Sequence, residues 1–228
     1  FGFKEIEKFI KFNDLNTSIL EIGCGPAILL KVFSDLYPNI NFFGIEPFAQ
    51  GFEKNKIYLN NSKNIKVNKV KLQNYITDKK FDLIYSLNVF EHVENWKEYI
   101  LLSNKLLKKG GINVILCPNY NFPYESHYKI PIIFNKKITK YFFNKKIEKD
   151  EKSKNSIGVW NDLNFIKKNY LKKYLEELNI NYYFDLKIQN RIIDRMNYDK
   201  GLIERQGLIG KSAMFARKYK FDYFLFNI

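Results

Sequence analysis

Ser18-Ile19-Leu20-Glu21-Ile22-Gly23-Cys24-Gly25-Pro26-Ala27 is the stretch on which the fold turns. Ser18 to Ile22 has the pattern of a short buried strand, which runs into Gly-x-Gly and then a helix over 27–36. Pro26 suits the first turn of that helix, where a missing N–H costs no intrahelical bond. Two glycines there let backbone approach a ligand with no Cβ in the way. A dinucleotide fingerprint needs a third small residue three places after the second glycine. This chain has Ile28 there, so a pyrophosphate cradle is not expected and NAD is disfavoured. No Gly-Lys-Ser/Thr follows, which removes a Walker-type phosphate loop. Glu46 ends the second strand, in Phe42-Phe43-Gly44-Ile45-Glu46-Pro47, 21 positions after Gly25. A carboxylate in that place can accept hydrogen bonds from ribose hydroxyls. Gly-x-Gly alone also occurs in ordinary turns, and a lone Glu after a strand is usually solvated. Strand, Gly-Cys-Gly, helix, strand and Glu in this order are far more specific.

Outward from that stretch, Phe3, Ile6, Phe9 and Ile10 stand at helical spacing within 3–12. Strands are expected over 39–45, 65–72, 81–86 and 112–117, and a helix over 96–108 that Gly110-Gly111 stops. A helix over 163–178, a strand over 182–188, a further segment over 192–206 and an aromatic strand over 219–226 complete the pattern. Strands alternating with helices predict an α/β fold with a mostly parallel sheet, seven-stranded on this count, and helices on both faces. Residues 118–160 break the rhythm with Pro118, Pro123, Pro131, many aromatics and the Lys-rich run Lys145 to Lys154. They read as a cap inserted after strand 5 within one domain spanning 1–228.

A content of 46% hydrophobic and 27% charged residues excludes a disordered or collagen-like chain, and 21 Phe and 16 Tyr supply a dense core. No apolar run is long enough for a membrane-spanning helix. Phe1-Gly2-Phe3-Lys4-Glu5 carries neither an initiator Met nor a signal-peptide pattern, which leaves a trimmed start and a lost targeting segment open. Two cysteines, Cys24 and Cys117, disfavour a disulfide scaffold and favour a reducing, cytoplasmic setting. The net charge of +14 invites a nucleic-acid partner, but only Arg191, Arg195, Arg205 and Arg217 among the 38 basic residues are arginine. Lysine dispersed among Asn and Ile reads as composition bias, not as a phosphate-reading face. An anionic small substrate, or work near an acidic membrane surface, is compatible with the charge.

The quoted residues resemble those of the class I S-adenosylmethionine-dependent methyltransferases, in their small-molecule branch (methyltransferase type 11/23-like). Glu21-Ile22-Gly23-Cys24-Gly25-Pro26 is similar to the first motif, and Glu46 to the ribose-binding acid. Phe81 to Val93 resembles the fourth strand and its loop, and Leu106-Leu107-Lys108-Lys109-Gly110-Gly111 the turn before the fifth. The match covers 18–118. It implies a Rossmann-like fold, S-adenosyl-L-methionine as cofactor, and a cofactor site of Glu21, Gly23, Cys24, Gly25, Glu46, Pro47, Leu87, Asn88 and His92. The adenine contact has three candidates, Leu72, Gln73 and Asn74, of which Gln73 is taken.

A sulfonium donor is already reactive, so a base is needed only where the acceptor starts as a protonated hydroxyl or ammonium. The chain has two histidines. His92 follows the fourth strand, and its loop-organising role outweighs direct proton transfer. His127, in Asn119-Tyr120-Asn121-Phe122-Pro123-Tyr124-Glu125-Ser126-His127, follows the fifth strand, where ligand-facing loops lie. His127 and Glu125 are the catalytic candidates: His127 as base or substrate ligand, Glu125 as its orienting partner or the base itself. An inert turn cap is the alternative for His127. Asn119, Tyr124 and Trp160 are candidate acceptor-site residues, Trp160 equally an aromatic staple. Neither cysteine has an adjacent base, and no metal is expected because no ligand spacing is present. The expected acceptor is a small molecule, carbohydrate-linked or anionic, by loose resemblance of the 117–128 loop to enzymes of bacterial surface-polysaccharide biosynthesis. An RNA methyltransferase and a non-catalytic cofactor-binding regulatory subunit are the alternatives.

Overall fold

Strand β1 (Ser18–Ile22) is buried along its whole length, which places it at the centre of a sheet covered on both faces. The structure is a computed structural model that describes residues 2–10, 16–48, 55, 59 and 62–219, with the side chains of 205–210 left out. β1 lies between β2 (Asn41–Ile45) and β4 (Phe81–Leu87); β3 (Ile65–Asn68) flanks β2 and β5 (Leu107–Leu116) flanks β4. All four pairings are parallel, in the order β3-β2-β1-β4-β5. The chain reverses its direction of winding between β1 and β4, and in such sheets ligands bind beyond the carboxyl ends of the strands at that reversal.

Helix α1 (Gly2–Glu7) and helix α2 (Ile28–Leu36) contribute Ile6, Leu30 and Phe33 to the core around Ile19, Phe42, Leu83 and Tyr85. Phe33 stacks on Phe3 at 5.0 Å and on Phe42 at 6.3 Å, and meets Tyr85 edge-on at 6.2 Å. Helix α3 (Trp96–Lys105) starts where the Asn95 side chain accepts from the Glu98 N–H, and buries Tyr99, Ile100 and Ser103.

The fold class is the expected one, and several boundaries differ from the pattern reading. Helix α2 begins one residue late because Ala27 takes a left-handed conformation, φ 55°. Gly110-Gly111 does not stop a helix: α3 ends at Lys105, and the glycines lie inside β5. Between the pairs Phe81–Leu107 and Leu83–Ile112 the strands slip register, and a Cβ on Gly111 would lie 2.8 Å from the Phe81 carbonyl oxygen. The glycines thus serve a bulge, where backbone must approach backbone. Residues 182–188 form no strand; they are irregular up to helix α7 (Ile188–Met196). The expected strand over 219–226 lies, from 220 on, outside the described residues, and Tyr219 caps helix α8 (Lys200–Lys218). Among the described residues the main sheet therefore has five strands, not seven.

The chain separates into two compact units, one of residues 1–117 and 159–164, the other of 118–158 and 165–228. The second unit contains the hairpin β6 (Tyr124–Glu125) and β7 (Ile130–Pro131), helix α4 (Lys136–Ser153), helix α6 (Lys168–Glu177), α7 and α8. In the first unit, short helix α5 (Val159–Asp162) packs against the turn Phe90–His92 with Trp160 buried. Asn164 then clasps this turn. Its N–H donates to the Glu91 carbonyl at 2.8 Å, and its Nδ2 donates to the Phe90 and Val93 carbonyls at 2.6 and 3.1 Å. Asn164→Ala should destabilise the chain by about 1–3 kcal/mol through the stranded carbonyls. Urea unfolding reads this; an unchanged midpoint and slope would contradict the clasp.

Candidate functional site

The turn after β1 is held from the end of β2. The Gly23 and Cys24 N–H groups both donate to the Ile45 carbonyl, at 2.8 and 3.2 Å. Glu46, one residue on and 8% exposed, accepts the Gly25 N–H on Oε2 at 2.9 Å and the Phe48 N–H on Oε1 at 3.0 Å. Gly23 has φ 72° and Gly25 φ 49°, a region that favours glycine. A Cβ on Gly23 would sit 2.4 Å from Val89 Cγ2, whereas one on Gly25 would meet nothing within 4 Å among the described residues. Gly23 thus admits the loop after β4, and Gly25 borders open space. A carboxylate offers about four lone-pair directions, so Glu46 keeps acceptor capacity beyond its two backbone donors. Pro47 is half-buried beside it.

Parallel register sets Glu21 opposite Tyr85, whose hydroxyl donates to Glu21 Oε2 at 3.1 Å. Burial pushes the Glu21 carboxyl up to about 8; the Tyr85 bond opposes this shift, and the nearby Glu46 charge adds to it. Burial also raises the Cys24 thiol, helped by Glu21 and Glu46, and pushes the Cys117 thiol up to about 12, helped by Glu91. Both thiols are therefore unsuited to nucleophilic work at neutral pH.

Beyond β4, the Asn88 N–H continues the ladder to the Leu116 carbonyl at 2.8 Å, and Asn88 takes φ 54°, which Asn tolerates better than most residues. Leu87 and His92 are half-buried, and Asn88 is exposed. Gln73 is exposed on a short turn, Leu72–Asn74, that follows β3; Leu72 is buried. Trp160 is 1% exposed within the first unit.

Four of the expected residues belong to the second unit. Glu125 is fully buried; Oε2 accepts the Tyr128 N–H at 2.9 Å, and Oε1 lies 2.7 Å from His127 Nδ1. The hairpin enforces this pair: β6 carries Glu125, the turn that joins β6 to β7 carries His127, and Lys154 Nζ donates to the His127 carbonyl at 2.8 Å. Tyr124 is half-buried at the start of β6, and Asn119 is exposed, its side chain accepting the Asn121 N–H at 3.0 Å.

The structure thus gathers Glu21, Gly23, Cys24, Gly25 and Glu46 at the carboxyl ends of β1 and β2, Leu87 at the end of β4, and Asn88 and His92 beyond it. It pairs Glu125 with His127. Sequence reasoning missed Tyr85 and Asn164. Tyr85 is marked only by the β1–β4 register, and Asn164 by contacts more than seventy positions away in the chain.

Residues 3–180 match the model of a family described as a methyltransferase domain. An uncharacterised protein of Mycobacterium tuberculosis H37Rv is 32% identical over 165 residues, which cover 70% of this chain and 56% of that protein. A ubiquinone biosynthesis O-methyltransferase of Rickettsia bellii is 31% identical over 111 residues, covering 47% of this chain and 45% of the relative. The chain spans about half the length of the curated relatives it matches. Among solved structures, the plantazolicin methyltransferase BpumL, in complex with a triazolic desmethylPZN analog and SAH, superposes with a TM-score of 0.52. That likeness is at 16% identity over 77% of this chain and 60% of that one. With strand order, glycine turn and terminal acid in agreement with a family match over most of its length, the chain belongs to the methyltransferase-domain family.

Proposed function

We propose that the chain is an S-adenosylmethionine-dependent methyltransferase that methylates a hydroxyl of a small polar acceptor. The observation that carries this reading is the Glu46–Gly25 arrangement: a buried carboxylate with spare acceptor capacity beside a glycine that borders open space. Those residues fit a nucleoside, since ribose hydroxyls need acceptors and a close-lying cofactor needs backbone without Cβ. Bound S-adenosylmethionine supplies a methyl group already activated on a positively charged sulfur. Glu46 binds the ribose, and the Gly23–Gly25 turn and Pro47 border the nucleoside and its methionine end. Gln73 serves the adenine side, and Leu87, Asn88 and His92 the sulfonium side. Glu21, next to this turn, places a buried carboxyl where a cation favours its ionised form.

Oxygen as acceptor is supported by the Glu125–His127 pair and by curated relatives named O-methyltransferases. In this reading His127 takes the acceptor proton on Nε2, and Glu125 holds Nδ1–H and offsets the charge that the ring gains. Asn119, Tyr124 and Trp160 are the acceptor-binding candidates, and residues 118–160 are its cap. A carbohydrate or nucleotide-linked sugar, as in surface-polysaccharide biosynthesis, is the acceptor class that the 117–128 loop favours. Two free cysteines suit a cytoplasmic setting, and no helix among the described residues is long and apolar enough to cross a membrane.

Glu46→Ala should weaken S-adenosylhomocysteine binding by about 1–3 kcal/mol through lost ribose hydrogen bonds; calorimetry showing unchanged affinity would remove Glu46 from the site. With labelled donor and a panel of sugar acceptors, His127→Ala should lose turnover and keep donor affinity, and full activity would sink the base role. The raised Glu21 carboxyl makes the folded chain bind a proton that the unfolded chain releases near 4.5, so stability should fall as pH rises from about 4.5 to about 8. Glu21→Gln should flatten this fall in thermal melts, whereas an identical pH slope in the variant would refute the assignment.

A further inference from the structure

Among the described residues, nothing covers one face of helix α4. Asn135 caps it by accepting the Ile138 N–H at 3.0 Å, and Thr139 and Ile147 bury the inner face. Thr139 Oγ1 accepts the Ile133 N–H at 2.8 Å, and Glu151 accepts the Tyr128 hydroxyl at 2.9 Å, so the helix is fixed in its rotation. On the opposite face Ile138, Tyr141 and Phe142 stand one turn apart, 37%, 83% and 63% exposed, and Phe134, 87% exposed, precedes the helix. The same stripe continues through the exposed lysines Lys145, Lys149 and Lys152 at helical spacing. The helix holds seven lysines against three acids, and each acid has a local partner: Asn144 for Glu148, Lys146 for Asp150 and Tyr128 for Glu151.

We propose that this face of α4 lies on an anionic lipid bilayer, with Phe134, Ile138, Tyr141 and Phe142 in the interfacial layer and Lys145, Lys149 and Lys152 against the headgroups. Aromatic and aliphatic side chains adjoining lysines on one helix face match the chemistry of an interface that is apolar below and negative above. Lysine stems cover apolar surface while their ammonium groups stay in the headgroup layer. A second copy would set these lysines against their own counterparts, which like-charge repulsion opposes. RNA would meet no arginine on this helix and would leave Ile138 in water. The inference concerns a surface of the second unit and does not depend on the acceptor or on the cofactor site.

The test is flotation of the full chain with vesicles of phosphatidylcholine alone and of phosphatidylcholine mixed with phosphatidylglycerol. Binding is expected to the mixed vesicles only and to weaken with salt. Lys145→Glu with Lys149→Glu and Lys152→Glu should reduce it about tenfold or more, and Tyr141→Ser with Phe142→Ser should reduce it at low salt as well. These positions are exposed, and circular dichroism checks that each variant folds. Tyr141→Trp supplies a second readout, an emission blue-shift on mixed vesicles relative to the wild-type protein. The proposal is overturned if the wild type ignores anionic vesicles, if the variants bind as it does, or if Trp at 141 shows no shift. It is equally overturned if the lysines prove to bind RNA while vesicles are not bound.

Discussion

Two backbone N–H groups converge on the Ile45 carbonyl, and a third finds the Glu46 carboxylate, so the end of β2 holds the whole turn after β1. The turn needs that grip because its glycines occupy conformations which lose much backbone freedom on ordering. Glu46 is committed to Gly25 and Phe48 for structure, and in the proposed function it also meets a nucleoside. Its buried position follows from that structural role, and an acceptor already fixed in place costs little further ordering when a ligand arrives.

The same economy is visible at β4. Gly23 lacks a side chain where Val89 must pass, so the loop after β4 lies against the turn after β1. Asn164 then fixes the following turn from a distant part of the chain, using one backbone and one side-chain donor group on three carbonyls. Between these two loops Glu21 is buried with Tyr85 as its hydrogen-bond donor and Glu46 as a like-charged neighbour.

Much of this was legible before any coordinates. Gly23, Gly25 and Glu46 stand out because short-range pattern and chain order constrain them together, and the alternation of strand and helix carried the parallel sheet. What escaped depends on register and on long-range return of the chain. Gly110-Gly111 looked like a helix stop because glycine ends helices more often than it lines a bulge, and only the Phe81 carbonyl explains its use there. Residues 182–188 have strand composition but no neighbouring strand in the described sheet to pair with. The Lys-rich run after 145 hid the end of an eighteen-residue helix, whose inner face rests on Thr139 and Ile147 and so shows weak periodicity. His127 and Glu125 were visible as a polar cluster, whereas the bond between them required the hairpin.

The central claim is that the Gly23–Gly25 turn and Glu46 make a site for an adenosyl-sulfur cofactor. Equilibrium dialysis of the wild-type chain against radiolabelled S-adenosylmethionine tests it most directly. The account predicts saturable binding at one site per chain, displaced by unlabelled S-adenosylhomocysteine and not by NAD. Absence of saturable binding by folded protein, or displacement by NAD as readily as by the homocysteine compound, would contradict it.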